Sequence, residues 1–350
     1  MASTVYLHIG LPKTGTTYLQ SVLWGARDQL ARDGYLLPGS GHREHLWAAL
    51  DLQERRNLAR RHPDAPGTLE RLLAEVERHR GPAIITHEFF CGARRAQVDR
   101  LLERLAPAQV HVVVTARDAL GMLTAGWAEY VKNGGTTPLS EMGGEATDGQ
   151  AEFGWRTWDL AGVLRRWGRQ LPPEQVHVVP MPGRGAPRDQ HWRNVATVLG
   201  LDPARYDAPE EARNPALGVT QVELLRRINP HLTGEGGGFR RPVDRGTWIR
   251  GYLAERHLVG QGGERLGAGP EQVAECRERA EKAVAMIRRR GFHVQGEVES
   301  LLVPHDLPVR QRPHDVSDAE LLGSASMLVA GLLEDVRRLS RDAPDLIEGA

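Results

Sequence analysis

The first seventeen residues join a short apolar run to a loop rich in glycine and threonine. Thr4–Ile9 is short and mostly apolar, as expected of a buried strand, and Tyr18–Leu30 has the apolar spacing of a helix. A strand, a tight loop and a helix start therefore follow one another. Because a helix N-terminus offers unpaired N–H groups and partial positive charge, this order predicts an α/β fold with an anion site.

Lys13 lies in this loop although lysine is rare in the chain, which has 3 lysines and 42 arginines. Lysine supplies a compact charge on a flexible stem, whereas arginine supplies a planar fork. Gly10 and Gly15 on either side of Lys13 allow the backbone to approach a ligand closely. The loop therefore predicts an anion-binding site. Its candidate ligands are Lys13, Thr14, Gly15, Thr16 and Thr17.

The loop spacing G-x-x-x-x-G-T-T is close to that of a nucleotide-binding P-loop. In a P-loop the lysine follows the second glycine, but here Thr16 takes that place and Lys13 precedes Gly15 by two residues. The sequence P-K-T-G-T-T resembles the 5′-phosphosulfate loop of sulfotransferases, which use 3′-phosphoadenosine 5′-phosphosulfate (PAPS) as sulfuryl donor. The resemblance implies that Lys13 stabilises the leaving phosphate.

Further apolar runs alternate with helical patterns along the first 200 residues. Gly34–Pro38, Pro82–Thr86, Gln109–Thr115 and Val176–Pro180 are candidate strands, and Gln109–Thr115 has the β-branched composition of a central parallel strand. The alternation predicts a P-loop-like central parallel sheet flanked by helices, followed by a helical C-terminal part. Since ligands bind at the carboxyl ends of such strands, Lys13, His87 and Arg117 are expected at one edge.

Two side chains directly after the candidate strand Pro82–Thr86 are candidates for a general base. Thr86-His87-Glu88 resembles the Thr-His segment that carries the base in cytosolic sulfotransferases. A carboxylate has this role in heparan-type sulfotransferases, which makes Glu88 the alternative. Either group would take the proton of an acceptor hydroxyl. The sequence leaves the choice open, with His87 favoured over Glu88.

Arg117 matches the arginine that binds the 3′-phosphate of the donor in the family. The family has a serine eight residues later, but this chain has Ala125 there. Thr124 carries a hydroxyl one position earlier, about 100° away around a helix. Losing one neutral donor costs about 1–3 kcal/mol. A third donor segment of the family is only loosely similar to residues 240–248, for which a solvated basic loop is the alternative.

The composition excludes several other classes of function. A formal net charge of zero gives no general basic field for nucleic acid, and two cysteines, Cys91 and Cys276, make neither a disulfide framework nor a zinc site. No metal is expected, because His42, His45 and His62 lie in a segment typical of a solvated helix. No run of about twenty apolar residues predicts a membrane span.

The organisation predicted for the chain is one sulfotransferase-like domain over residues 1–303. Its sheet core covers about 1–200 and a mostly helical part covers 201–303. Residues 304–315 are a predicted linker, and residues 316–350 a C-terminal helix and tail. The start of the chain lacks the pattern of a signal peptide, so a cytoplasmic location is expected.

The hypothesis that follows is a PAPS-dependent sulfotransferase acting on a hydroxyl, or an amine, of a small-molecule acceptor. A P-loop small-molecule kinase is one alternative, although its lysine would be expected in the usual place. A non-catalytic nucleotide-binding relative is another, because of Ala125. Neither the acceptor nor the oligomeric state follows from the residues.

Overall fold

Five parallel strands form the sheet at the centre of the computed structural model, which describes residues 1–56, 58–142, 153–183, 185–206 and 216–342. The strands run in the order β2-β1-β3-β4-β5. Their bounds are β1 Thr4–His8, β2 Ala83–Thr86, β3 Gln109–Ala116, β4 Val176–Pro180 and β5 His293–Val294. The predicted P-loop-like parallel sheet is confirmed.

The helices surround this sheet and continue through the C-terminal part. The α-helices are α1 Thr16–Gly25, α2 Arg27–Arg32, α3 His42–Leu52, α4 Leu58–Arg61, α5 Thr68–Arg78, α6 Arg95–Leu105, α7 Ala119–Lys132, α8 Trp155–Trp158, α9 Leu160–Trp167, α10 Gln190–Leu199, α11 Val219–Thr233, α12 Pro242–Asp244, α13 Pro270–Arg290 and α14 Asp318–Asp342. A π-helix covers Arg245–Leu258. Short 3-10 helices cover Glu88–Gly92, Leu139–Glu141, Pro173–Gln175, Pro203–Arg205, Val259–Gln261, Val298–Leu301 and Pro313–Asp315.

The central strand β3 is buried because both of its edges and both of its faces are covered. Val5 of β1 pairs with Val110 on one side, and Val178 of β4 pairs with Val114 on the other. Leu19 and Trp192 join Val113 in the apolar cluster that α1 and α10 form against the sheet. Each fully buried side chain of this size contributes about 1.5–3 kcal/mol.

The described chain divides into two compact units. The first consists of residues 1–126, 143–213 and 271–305 and contains the sheet. The second consists of residues 127–142, 214–270 and 306–350. In the second unit, α14 packs against α11 and the π-helix. Residues 143–152, 207–215 and 343–350 lie outside the described residues, and with them the last part of the predicted tail.

Several local expectations were wrong. Residues 34–38 do not form a strand, because only Leu36 bridges to Ala83 before Pro38 removes an N–H donor. The helix predicted over Tyr18–Leu30 is two helices separated at Ala26, whose ψ of 20° leaves the helical range. The short edge strand β5 was missed because two residues carry no periodicity.

The segment with three scattered histidines is also less solvated than predicted. His45 of α3 is fully buried, together with Ala48, Ala49 and Leu50. Among the described residues, no helix combines the length and the apolar character that a membrane crossing requires.

Candidate active site

The strand order reverses direction between β1 and β3. The chain passes from β1 to β2 on one side of the sheet, and then to β3 and β4 on the other. The carboxyl ends of β1 and β3 therefore form the switch point of the sheet, the place where ligands bind in open α/β folds. Lys13, His87 and Arg117 follow three neighbouring strands, so the sheet brings their backbones to one edge.

Backbone hydrogen bonds hold the loop after β1 against its neighbours. Ile9 N–H donates to the Val113 carbonyl at 3.0 Å and Leu11 N–H to that of Thr115 at 2.6 Å. On the other side, Cys91 N–H donates to the Ile9 carbonyl at 3.1 Å. The loop is therefore fixed to β3 and to the segment after β2 before it reaches Lys13.

Three residues of the loop have positive φ. Gly10 has a φ of +103°, and a Cβ there would lie 2.9 Å from the backbone of Glu88, so glycine alone fits. Gly15 has a φ of +74° and directly precedes α1. Lys13 has a φ of 62°, which is uncommon for a side chain with a Cβ. An exposed lysine held in a strained backbone beside a helix start is a pattern found at functional sites.

The three threonines of the loop have different surroundings. Thr14 is fully buried, and its hydroxyl donates to the Leu11 carbonyl at 2.5 Å. Thr14 can therefore offer an anion its backbone N–H but not its side chain. Thr16 is buried and Thr17 is exposed in the first turn of α1. The first N–H groups of a helix have no partner within the helix, so this turn supplies anion donors.

A directed chain of hydrogen bonds lies beneath the loop. Since the Thr14 hydroxyl donates to Leu11, it accepts from Thr115 at 2.6 Å, and Thr115 in turn accepts from His8 Nε2 at 3.1 Å. His8 Nδ1 then accepts from the Thr86 hydroxyl at 2.7 Å. This order requires a neutral His8 with its proton on Nε2. Burial lowers the pKa of His8 to about 4, in agreement with that state.

His191 of α10 supports the same loop from another side. Its Nε2 donates to the Thr14 carbonyl at 2.9 Å, and a Cβ on Gly15 would lie 3.0 Å from its ring. Because Nε2 carries the proton, Nδ1 is an acceptor, and it is buried without a hydrogen-bond partner among the described residues. Burial lowers the pKa of His191. His191 therefore positions the loop as a neutral imidazole.

The two candidate bases are adjacent but differently placed. His87 Nδ1 accepts the backbone N–H of Phe89 at 3.1 Å and so caps the 3-10 helix Glu88–Gly92. The neutral imidazole then carries its proton on Nε2, and its lone pair is already used. Glu88 Oε2 lies 3.8 Å from His87 Nδ1 and accepts a hydrogen bond from Gln20 at 3.0 Å.

Glu88 is a carboxylate with one-fifth of its side chain exposed. Burial by itself raises its pKa, but attraction to His87 when that ring is protonated, its own backbone N–H and Gln20 outweigh burial, and the pKa lies below its ordinary value. A Glu88 that is ionised at neutral pH can accept a proton. The geometry therefore favours Glu88 over His87 as the group with a free basic lone pair.

Arg117 follows β3 and reaches back to the lysine loop. Its Nη1 donates to the Lys13 carbonyl at 3.4 Å, whereas its Nε is buried without a partner among the described residues. Asp118 is engaged elsewhere, because its Oδ1 accepts the Gly121 N–H at 2.7 Å and caps α7. Burial lowers the pKa of Arg117, against the opposing charge of Asp118. A buried guanidinium N–H next to the loop, to which no described residue offers an acceptor, can donate its hydrogen bond to an anionic ligand.

Gly121 makes room for this guanidinium. A Cβ at Gly121 would lie 2.5 Å from Arg117 Nη2 and 2.6 Å from Asp118 Oδ2. The hydroxyl of Thr124, one turn further along α7, donates to the Leu120 carbonyl at 2.9 Å. Because the Thr124 hydroxyl already donates within the helix, it does not supply the hydroxyl donor that Ala125 lacks.

A small cavity adjoins Arg117 in the first unit. Among its walls are Trp158, which also covers Gly126, and Arg279, which lies 4.1 Å above the ring of Trp155. Trp155 and Trp158 are buried, whereas Trp248 is 48% exposed in the second unit. No group of three or more His, Cys, Asp or Glu side chains in the described part of the chain is arranged to hold a metal ion.

Four residues of this site were missed from the sequence. His8, Thr115 and His191 lie inside elements whose periodicity marks them only as core positions, and His45 lies in a helix interpreted as solvated. His45 Nε2 donates to the Pro38 carbonyl at 2.9 Å, and its Nδ1 accepts the N–H of Thr86 at 3.0 Å. For His8 and Thr115 the only sequence signal was a polar residue within an otherwise apolar run.

No family model matches this sequence, and no curated protein matches it either. Among solved structures, the chain is similar to a sulfotransferase from Alicyclobacillus acidocaldarius. The two sequences are 13% identical, the TM-score is 0.47, and the match covers 82% of this chain and 96% of that chain.

Proposed function

We propose that this protein is a PAPS-dependent sulfotransferase that acts on a hydroxyl, or an amine, of a small molecule. The observation that carries the proposal is the position of Arg117, which lies against the Lys13 carbonyl with its Nε buried and without a partner in the part of the chain that the structure describes. In this proposal the two donor-binding segments are the loop that carries Lys13 and the end of β3 that carries Arg117. Two cationic side chains beside a helix N-terminus suit a ligand with two separate anionic groups.

The residues present fit this donor. The 5′-phosphosulfate would lie against Lys13 and the first N–H groups of α1, with the N–H of Thr14 and Gly15 and the hydroxyls of Thr16 and Thr17 close by. The 3′-phosphate would complete the donor set of Arg117. When bound, PAPS supplies an activated sulfuryl group and a phosphate leaving group.

Lys13 and the α1 N-terminus stabilise negative charge where it develops. Charges and dipoles that are already aimed at the leaving oxygen need no reorganisation during the reaction, which is why such groups lower a barrier. The strained backbone at Lys13 and the hydrogen bonds that fix its loop to neighbouring segments keep this arrangement rigid. The flexible side chain of Lys13 lets its ammonium group follow the negative charge as that charge grows.

Glu88 takes the acceptor proton in this proposal, and His87 is the alternative. Glu88 has an ionised carboxylate that is partly exposed, whereas the lone pair of His87 holds the N–H of Phe89. Gln20 of α1 orients Glu88 through a 3.0 Å hydrogen bond. Gln20 therefore connects the proposed proton acceptor to α1, the helix whose first turn borders the proposed anion site.

Ligand binding distinguishes this proposal from a kinase. Adenosine 3′,5′-bisphosphate should raise the melting temperature without metal, and adenosine 5′-monophosphate should do so much less, because it lacks the group that Arg117 would bind. Stabilisation by magnesium-ATP alone would contradict the proposal. Incubation of the protein with PAPS and a broad set of hydroxyl and amine acceptors should then produce a sulfated compound, whereas bisphosphate binding without any product would indicate a non-catalytic relative.

Lys13→Ala should lower the rate of transfer at least about a hundredfold, since removal of one preorganised electrostatic group costs that much in other enzymes. Lys282→Ala is the matched control, because Lys282 is on the exposed side of α13 and pairs with Glu278. Lys13→Gly removes the strain of the positive φ, so this variant should be at least as stable as the native protein. Its rate of transfer should be as low as that of Lys13→Ala. Near-native transfer by Lys13→Ala would remove Lys13 from the mechanism.

A further inference from the structure

The proposed base lies at the start of a short 3-10 helix, Glu88–Gly92, which we call the Glu88 turn. The last carbonyls of a helix have no partner within it, and they carry partial negative charge. Here two arginines supply the missing donors. Arg166 Nη2 donates to the Cys91 carbonyl at 2.9 Å, and Arg156 Nε donates to the Gly92 carbonyl at 3.1 Å. Both arginines therefore cap the far end of the turn.

The two arginines come from neighbouring helices and contact each other. Arg156 lies in α8 and Arg166 in α9, and Arg166 Nη2 also donates to the Arg156 carbonyl at 2.6 Å. Burial lowers the pKa of Arg166, as expected of a cation that is partly removed from water. In the described part of the chain no carboxylate forms an ion pair with Arg166, and Asp159 attracts it only from a longer distance. The charge of Arg166 therefore acts on backbone carbonyls.

The Glu88 turn is also fixed to the lysine loop. The N–H of Cys91 donates to the Ile9 carbonyl at 3.1 Å, so Cys91 holds the loop with its N–H and receives Arg166 at its carbonyl. At the start of the turn, the Cα of Glu88 would lie 2.9 Å from a Cβ on Gly10. The backbone of Glu88 therefore lies directly against the lysine loop, and Arg166 holds the same turn from the other side.

Two kinds of contact fix the Glu88 carboxylate in space. Gln20 of α1 holds the side chain through Oε2, and the Glu88 turn holds the backbone from which the side chain extends. If the far end of the turn loosens, the backbone of Glu88 moves and the carboxylate moves with it. A displacement of about 1 Å at a reacting group lowers a rate by up to about a hundredfold. The caps of the turn therefore influence the reaction although they touch no reacting atom.

We propose that Arg166 is a positioning residue for Glu88. By capping the Cys91 carbonyl it keeps the Glu88 turn, and with it the proposed base, in a fixed place beside the lysine loop. Arg156 supports the same end of the turn at Gly92. The inference rests on the proposed function, because the step that it serves is the transfer of the acceptor proton to Glu88.

Steady-state kinetics of single variants test the proposal. Arg166→Met removes the charge and the N–H donors but keeps an unbranched side chain, and kcat should fall about tenfold to a hundredfold. The Kd of adenosine 3′,5′-bisphosphate should stay within about threefold of the native value, because the lysine loop keeps its hydrogen bonds to β3. Arg166→Lys retains the charge and should recover most of the lost rate. Arg165→Met is the matched control, since Arg165 is exposed on the same helix, and it should react at the native rate.

A double variant separates positioning from a general loss of structure. Glu88→Asp keeps a carboxylate but withdraws it by one methylene group, so the base is already out of place. If Arg166 acts through Glu88, the two losses overlap, and Arg166→Met should lower kcat of the Glu88→Asp variant by no more than about threefold. Independent losses would multiply instead, and that result would overturn the proposal. Circular dichroism verifies that each variant is folded, and Arg166→Gln, which keeps one donor, replaces Arg166→Met if the latter unfolds.

Native-state hydrogen exchange gives a measurement that needs no substrate. In Arg166→Met the amide of Cys91 should exchange at least about tenfold faster, whereas the amides of β3 should exchange at their native rates. Unchanged exchange at Cys91 would overturn the proposal. A native protein that transfers no sulfuryl group would overturn the proposed function and this role with it. Transfer by the native protein together with a native kcat in Arg166→Met would overturn the role of Arg166 alone.

Discussion

The hydroxyl oxygens of Thr14 and Thr115 lie 2.6 Å apart, and this contact joins the lysine loop to the end of the central strand. Thr14 is in the loop after β1, and Thr115 is in β3, 101 residues later. Because Thr14 donates onward to Leu11, the contact has one direction, and it sets the tautomer of His8 behind it. The conformation of the loop and the charge state of a buried histidine are therefore linked.

Thr115→Val should break this link with little change in size. The Thr14 hydroxyl loses its donor and His8 Nε2 loses its acceptor, so the free energy of unfolding should fall by about 1–3 kcal/mol. Binding of adenosine 3′,5′-bisphosphate should weaken as well, since the loop is less well held. Urea unfolding and calorimetric titration measure the two effects. Thr115→Ser keeps the hydroxyl and should restore both; if Thr115→Val binds as tightly as the native protein, the chain of hydrogen bonds has no bearing on the loop.

Glu88→Gln should abolish transfer while adenosine 3′,5′-bisphosphate still binds. The amide keeps the size of the side chain and the contact with Gln20 but cannot take a proton. The pKa of Glu88 lies below its ordinary value, so kcat/KM of the native protein should fall only as the pH drops below about 4.5.

An imidazole base would place that limb near pH 6.5 instead. His87→Asn serves as the comparison, because an amide oxygen can still cap the N–H of Phe89, and it should retain substantial turnover. Loss of turnover in His87→Asn together with activity in Glu88→Gln would assign the base to His87. Circular dichroism at each pH separates loss of rate from loss of fold.

Gly121→Ala should move Arg117 without unfolding the protein. The new Cβ would meet the side chains of Arg117 and Asp118 rather than backbone, and alanine is the better helix former by about 1 kcal/mol. Stability should therefore stay the same or rise, whereas the affinity for adenosine 3′,5′-bisphosphate should fall about tenfold. Affinity for adenosine 5′-monophosphate should change little. An equal loss for both nucleotides would mean that Arg117 does not recognise the 3′-phosphate.

Acid should destabilise the protein through its buried histidines. Burial lowers the pKa of His8 and of His45 to about 4 in the folded protein. As the pH falls, these histidines therefore take up protons in the unfolded chain before they do so in the folded protein. Their contribution is complete above pH 6.5 and is lost as the pH falls from 6.5 to 4. Each of the two histidines should lower the free energy of unfolding by roughly 2 kcal/mol between pH 7 and pH 5.

Urea unfolding of His45→Gln at pH 7 and pH 5 measures one of these contributions. Glutamine can still donate to Pro38 and accept from Thr86 but does not titrate, so the difference between the two pH values should shrink by roughly 2 kcal/mol. His42→Gln is the control, since His42 is exposed on the same helix. An unchanged difference in His45→Gln would show that His45 is not the group that titrates.

Much of the site could be located from the sequence because its parts follow strands directly. A short apolar run, Gly10 and Gly15 around Lys13, and a helix pattern together predict where an anion-binding loop would lie. The same reasoning placed His87, Glu88 and Arg117 at the carboxyl ends of β2 and β3. Local patterns of this kind require no knowledge of distant residues.

The choice between the two bases depended on tertiary contacts. The residue types made His87 the better candidate, but the lone pair of His87 is engaged by Phe89, and Gln20 from another helix holds Glu88. In the same way, the hydroxyl of Thr14 turned inward because Thr115 lies beside it. Each of these hydrogen bonds joins groups whose orientation no periodicity encodes.

The amino-acid sequence by itself determined the order of strands and helices, the loop that carries Lys13 and the strand ends at which the other polar residues stand. Tertiary structure alone decided which of these side chains are buried, which atoms donate and which accept, and that Arg117 lies against the loop with an N–H that no described residue accepts. The physical reason is range. Apolar spacing acts over a few neighbouring residues, whereas proton positions and burial depend on atoms that the fold brings together from far along the chain.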